Sequence, residues 1–172
     1  MKIDDDDFML FALPRRFHID AGALAQRWRD LQAEVHPDRF AADGAASQRV
    51  AMQWAVRVNE AYRRLKDPLE RATYLCKLAG HPLDPHDNHA MPPAFLARQM
   101  EWHEALTDAE STDDVNRLDA DVAAHLQQLH ADVRADLDER HDAAAAVPKL
   151  RQWMFLARLR EEIDRRLEAL EH

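Results

Sequence analysis

Leu24-Ala25-Gln26-Arg27-Trp28-Arg29-Asp30-Leu31-Gln32-Ala33-Glu34-Val35-His36-Pro37-Asp38 is the stretch that decides how this chain folds. Leu24, Trp28, Leu31 and Val35 recur at spacings of four, three and four, which puts them on one face of an α-helix. Pro37 has no backbone N–H and disfavours helical geometry at His36, so the helix must stop there. Downstream, Val50, Trp54, Val58, Ala61, Tyr62 and Leu65 form a second apolar stripe. Two long helices packed antiparallel are expected, joined by a turn that offers an imidazole and a carboxylate on either side of a rigid proline.

Working outward, Asp20 is a good N-cap for the first of these helices, over 21–35, and the second runs from about Ala45 to Lys66. Asp67-Pro68-Leu69-Glu70 then opens a further helix with a cap, a proline at the first position and an acid at the third. That helix carries Leu69, Ala72, Leu75 and Leu78 and ends at Gly80. At the other end, Asp7 can cap a short helix from Phe8 to Leu13, which Pro14 closes. Phe8, Phe11, Trp28, Trp54 and Tyr62 are the candidate core of this N-terminal domain, residues 1–79.

Residues 80–92 have the composition of a linker, with Gly80, Pro82 and Pro85 breaking any periodicity. His81, His86, His89, Asp84 and Asp87 fall here, but metal ligands must converge on fixed positions and no predicted element fixes these. A solvated linker without a resident metal is expected. Pro92-Pro93 opens a helix to about Ala109 whose stripe of Phe95, Gln99, Trp102 and Leu106 faces a core. Leu96, Ala97 and Met100 lie to one side of that stripe, beside Glu101 and Glu104. Either a wide core face takes them in, or they form an exposed apolar strip rimmed by acids, the mark of a protein-binding surface. Ser111 to Asp114 resembles a capping box for a long helix carrying Val115, Leu118, Val122, Leu126, Leu129, Val133 and Leu137. A last helix aligns Leu156, Leu159, Ile163, Leu167 and Leu170, with Phe155 at the edge of that stripe. Residues 93–172 therefore read as a three-helix bundle, and the fold class as all-α.

Charge is divided unevenly. Of the net −9, residues 1–79 hold 13 Lys/Arg against 12 Asp/Glu, and residues 80–172 hold 10 against 20. Two modules with different partners are expected, and nucleic acid is a poor partner for the acidic one. Neither a phosphate-binding glycine loop, a dinucleotide fingerprint nor a zinc-protease motif is present in the sequence. The single cysteine, Cys76, excludes a disulfide framework and sits among leucines as a buried small residue. His36 and Asp38 flank a turn with no adjacent nucleophile, so no intrinsic catalysis is expected. The acidic start, Asp4 to Asp7, and the lack of an eighteen-residue apolar run predict a cytoplasmic protein with no membrane contact.

The His36-Pro37-Asp38 turn between two helices, followed by Val58-Asn59-Glu60-Ala61-Tyr62-Arg63-Arg64-Leu65-Lys66-Asp67-Pro68, resembles a J-domain, the module by which DnaJ-type co-chaperones activate DnaK-class ATPases. A J-domain followed directly by Pro68-Leu69-Glu70-Arg71-Ala72-Thr73-Tyr74-Leu75 and an acidic helical C-terminal half resembles the HscB family, co-chaperones of iron–sulfur cluster assembly. The resemblance covers nearly the whole chain. It implies that His36, Pro37 and Asp38 engage an HscA-type chaperone, with Arg27, Arg29 and Arg39 as nearby cations that steer docking. It also implies that Leu96, Ala97, Met100, Glu101, Glu104 and Phe155 bind an IscU-type scaffold, which favours the exposed-strip reading. A monomer without cofactors is expected. A generic J-domain co-chaperone for another client is the alternative.

Several positions depart from the family pattern. Val35 stands where an aromatic is usual, Arg39 replaces the commoner lysine, and Ala97 is smaller than the long apolar residue expected there. The N-terminal cysteine motifs of some eukaryotic relatives are absent, which favours a bacterial-type protein.

Overall fold

The computed structural model describes residues 1–84 and 91–172. It is all-α, as expected, with no strand among the described residues. Of the linker histidines and aspartates, His86, Asp87 and His89 lie outside the described residues; within them, no cluster of three His, Cys, Asp or Glu is placed to hold a metal ion. No described helix is long and apolar enough to cross a membrane. The chain divides into two compact units, Met1–Leu75 and Cys76–His172, so the division falls inside the fourth helix, a few residues before the boundary at 79 read from sequence.

The first unit is built on a hairpin of α2 (Ala21–Val35) and α3 (Ala45–Lys66). Asp20 caps α2 as expected, its carboxylate accepting from the Ala23 N–H at 3.0 Å. The two helices run antiparallel: Trp28 stacks on Tyr62 at 4.6 Å between ring centroids, while Gln32, one turn later, donates to Asn59, earlier in α3. Trp28 Nε1 donates to the same Asn59 Oδ1 at 3.0 Å, so one carboxamide ties two turns of α2 to α3. Leu24, Leu31, Val58, Ala61 and Leu65 are buried between them. Trp28, Trp54 and Tyr62, expected in the core, are only half-buried. Over the first turns of α3, Val35 at the end of α2 and Phe40 of the connecting segment line an open pocket of about 420 Å³ with Val50 and Trp54.

α1 (Asp7–Leu10) is shorter than read from sequence, and its N-cap is Asp6, not Asp7. Asp6 accepts from the Met9 N–H at 2.9 Å and pairs with Arg15. Burial works to raise the Asp6 pKa, but the Met9 N–H and Arg15 outweigh it, and the carboxyl sits below its ordinary value. Asp7 is fully buried. Arg57 Nη1 donates to its Oδ1 at 2.8 Å, and Arg64 lies 3.3 Å from its Oδ2, an ion pair outside hydrogen-bond geometry. Arg57 also donates to the Asp5 carbonyl at 2.7 Å and the Ile3 carbonyl at 3.3 Å, so it clasps the N-terminal segment onto α3. α4 (Pro68–Leu78) starts on the Asp67 cap, and its buried Arg71 donates to the Phe17 and Leu65 carbonyls at 2.7 and 2.6 Å.

The second unit is the expected three-helix bundle: α5 (Pro93–Asp108), α6 (Thr112–Arg134) and α7 (Ala143–Glu171). Ser111 and Asp114 form the predicted capping box at the start of α6. α6 does not simply stop. It passes into a single π-helical turn, Ala135–Glu139, and the chain reverses through His141 at φ +51°. The turn carries Asp136, buried and paired with Arg140 at 2.8 Å and with Lys149 of α7. Asp142 then caps α7, so Ala143 to Ala146 form its first turn. Val115, Val122, Val133, Leu150, Leu156 and Ile163 are fully buried between α6 and α7, with Phe95 and Trp102 of α5 closing the core. Cys76 is buried in this unit, 3.7 Å from the Ala143 carbonyl; burial, and then the charge of Asp136, push its thiol up to about 11.

Candidate functional site

Pro37 forces His36 into extended backbone, φ −60° and ψ 128°, which ends α2. The connection is more ordered than a plain loop: Pro37–Asp43 forms a 3₁₀ segment. His36 is its N-cap. The imidazole Nδ1 accepts from the Asp38 N–H at 3.2 Å, which fixes the backbone of Asp38 while leaving its carboxylate free. The Asp38 side chain is 91% exposed and that of His36 55%, with 3.6 Å between Nδ1 and Oδ2. A rigid turn presenting an accessible carboxylate suits a charge-assisted hydrogen bond to an arginine on another protein.

The three arginines do not converge on that turn. Arg39 Nη1 folds back to donate to the Ala33 carbonyl at 3.1 Å, satisfying the C-terminus of α2. Arg29 is exposed and donates to Gln26 at 2.8 Å on its own helix. Arg27 is half-buried along the border of the apolar stripe, and its Nε lacks a hydrogen-bond partner among the described residues. Arg29 and Arg39 are thus the accessible cations of the set, and Arg27 belongs more to the packing of α2.

In the second unit, α5 turns Phe95 and Trp102 inward, and the adjacent face is open to solvent. Leu96 is 44% exposed and Met100 66%. Ala97, Glu101 and Glu104 are also exposed. The strip read from sequence is therefore a surface and not a wide core face. Phe155 of α7 is half-buried beside it, its ring edge-on to Phe95 at 5.8 Å and to His103 at 5.8 Å. The two acids differ. Glu101 is held by Arg98 at 3.0 Å, and Arg98 also donates to Asp121 at 2.8 Å and lies over the Trp102 ring. Glu104 has no ion-pair partner among the described residues. His103 and Arg98 were not singled out from sequence. The signal for His103 was its place on the Leu96–Met100 side of α5; the Arg98–Asp121 contact joins residues too far apart in sequence to be read without the fold.

A helical hairpin closed by a capped His-Pro-Asp turn, together with a three-helix unit bearing an exposed apolar strip, is the arrangement that the resemblance to a J-domain co-chaperone implies. The chain is 51% identical over 160 residues to the co-chaperone protein HscB homolog of Bordetella petrii, a match covering 92% of this chain and 94% of that one. The chain belongs to the HscB co-chaperone family. The homolog of Paraburkholderia phytofirmans is 45% identical over 174 residues and matches over 99% of both chains. Residues 91–164 match the family model described as the HSCB C-terminal oligomerisation domain. Among solved structures, the chaperone HscB from Vibrio cholerae superposes with a TM-score of 0.84 at 33% identity, covering 96% of this chain and 99% of that one. Human co-chaperone HscB superposes at 0.90 and 29% identity, covering 95% and 83%.

Proposed function

We propose that this protein serves iron–sulfur cluster biogenesis in the cytoplasm, activating the ATPase of an HscA-type, DnaK-class chaperone and delivering to it an IscU-type cluster scaffold. The observation that carries the reading is the Asp38 carboxylate, almost wholly exposed on a turn whose backbone the proline and the His36 cap hold in place. An arginine of the chaperone can engage that carboxylate with little ordering entropy lost on docking. The strip of Leu96, Ala97, Met100 and Phe155, with Glu104 free at its rim, is the surface for the scaffold. Holding scaffold and chaperone on one chain raises their effective concentration toward each other. The protein performs no chemistry of its own in this scheme; it changes the rate of its partner.

The test is steady-state ATP hydrolysis by the HscA-type chaperone with this protein and the scaffold added separately and together. Synergistic stimulation is expected, abolished by His36→Gln and weakened by Leu96→Ser/Met100→Ser only when the scaffold is present. Stimulation that ignores the scaffold would leave a generic J-domain co-chaperone. No stimulation of any DnaK-class ATPase would remove the reading altogether. The description of the matched family model also favours self-association through 91–164 over the monomer expected from sequence. Sedimentation of the full chain over a range of concentrations decides between the two.

A further inference from the structure

His103 occupies a place in the α5 strip that no partner of the strip could avoid. It follows Met100 by three residues, so the two side chains are neighbours on one helix face. Its ring lies edge-on to Phe155, centroids 5.8 Å apart at 77°. A surface that covers both Met100 and Phe155 must therefore also cover His103. The ring is exposed, and neither of its nitrogens has a hydrogen-bond partner among the described residues. Covering it withdraws those nitrogens from water, which weakens binding unless the incoming surface supplies a donor or acceptor of its own.

We infer that His103 is a contact residue of the scaffold-binding surface, and that the scaffold offers a hydrogen-bonding group to its imidazole. The inference rests on the strip being the scaffold surface, as proposed above. An apolar strip alone discriminates poorly between partners. A buried hydrogen bond discriminates well, because a protein lacking the matching group leaves the imidazole unpaired. Phe155 restrains the ring by packing against its side, so less rotamer freedom is lost when the contact forms.

The experiment is calorimetric titration of the full chain with the apo IscU-type scaffold, for wild type, Met100→Ser, His103→Phe and His103→Gln. The exposed site leaves the fold intact in each variant, which a thermal melt within a few degrees of wild type would verify. His103→Phe keeps an aromatic ring against Phe155 but deletes the polar edge, so it is expected to raise Kd about tenfold. His103→Gln retains a donor and an acceptor and is expected to stay within about threefold. Wild-type affinity in His103→Phe, alongside clear weakening by Met100→Ser, would overturn this inference and leave the strip standing. No binding by wild type would overturn the strip and this inference together.

Discussion

Removing the Arg57 guanidinium tests the packing of the first unit most directly. Its partner Asp7 is wholly buried, and Arg57 itself is only 19% exposed, so solvent does little to screen the pair. Arg57→Leu strands a buried carboxylate, a change that costs about 3–5 kcal/mol in comparable pairs. Arg64, 3.3 Å from the other oxygen, remains to offset part of the loss, which places the expected value near the lower bound, about 3 kcal/mol. The lost bonds to the Asp5 and Ile3 carbonyls add little, since those groups can turn to water. A loss of about 3 kcal/mol is roughly a hundredfold in the folding equilibrium, and small against the 5–15 kcal/mol typical of a domain, so the unit still folds. Urea unfolding followed by circular dichroism gives the total, and hydrogen exchange by mass spectrometry assigns it to α1 and α3. Asp7→Asn in the Arg57→Leu background should cost less than the two changes summed, because the stranded charge is gone. A single-variant loss below about 1 kcal/mol, or strict additivity in the double variant, would refute the claim that this ion pair holds the N-terminal segment.

Other predictions concern the second unit. Glu104→Gln should slow association with the scaffold more than Glu101→Gln, because Arg98 already neutralises Glu101; stopped-flow rates at low salt compare them. Cys76, with its thiol pushed up to about 11 and its side chain buried, should resist alkylation by iodoacetamide at neutral pH and react once urea unfolds the chain. Ser111→Ala removes one half of the α6 capping box and should cost about 1 kcal/mol in a urea melt. The other half, Asp114, is held below the ordinary carboxylate value by the Glu110 N–H and the Ser111 hydroxyl. Its contribution is therefore present above the unfolded value of 3.8 and is lost as pH falls through the lower native one; NMR titration of Asp114 should show the depressed midpoint, and Ser111→Ala should move it upward.

Much of this was legible in the sequence where local rules act alone. Asp20 and Pro37 bracket α2 because a cap and a proline each dictate backbone geometry within a few residues. The same rules could not choose among Asp4 to Asp7. Any of the four can cap, and the choice of Asp6 is made by Arg57, fifty residues on, which needs Asp7 inside. Periodicity put Trp54 on the apolar stripe but could not say that an open pocket beside Val35 and Phe40 would leave it only half-buried. Nor could it resolve where Arg27 lies, since the edge of a helix stripe is settled by what packs beside it. The π-turn at Ala135–Glu139 has no periodic signature of its own. It accommodates Asp136 between Arg140 and Lys149, and that triad exists only once α7 has folded back. The off-stripe position of Leu96 and Met100 was visible from the start; only the structure distinguishes a wide core face from an open surface.

The cap that His36 places on the Asp38 amide has a tautomeric consequence. An Nδ1 that accepts a hydrogen bond carries no proton, so the ring proton must reside on Nε2. Of the three forms open to an imidazole, one closes this turn. A proton added to Nδ1 would release the amide and instead draw in the Asp38 carboxylate, 3.6 Å away, the group proposed above for docking. The backbone from which that carboxylate projects is thus set by a lone pair two residues earlier. Asparagine at position 36, whose carbonyl caps a helical turn from a similar reach, would preserve the arrangement, and glutamine, one methylene longer, would not. Nitrogen-15 shifts of the His36 ring should report a protonated Nε2 and a bare Nδ1 in the docking-competent protein; the opposite pattern would mean that the proline alone sets the turn.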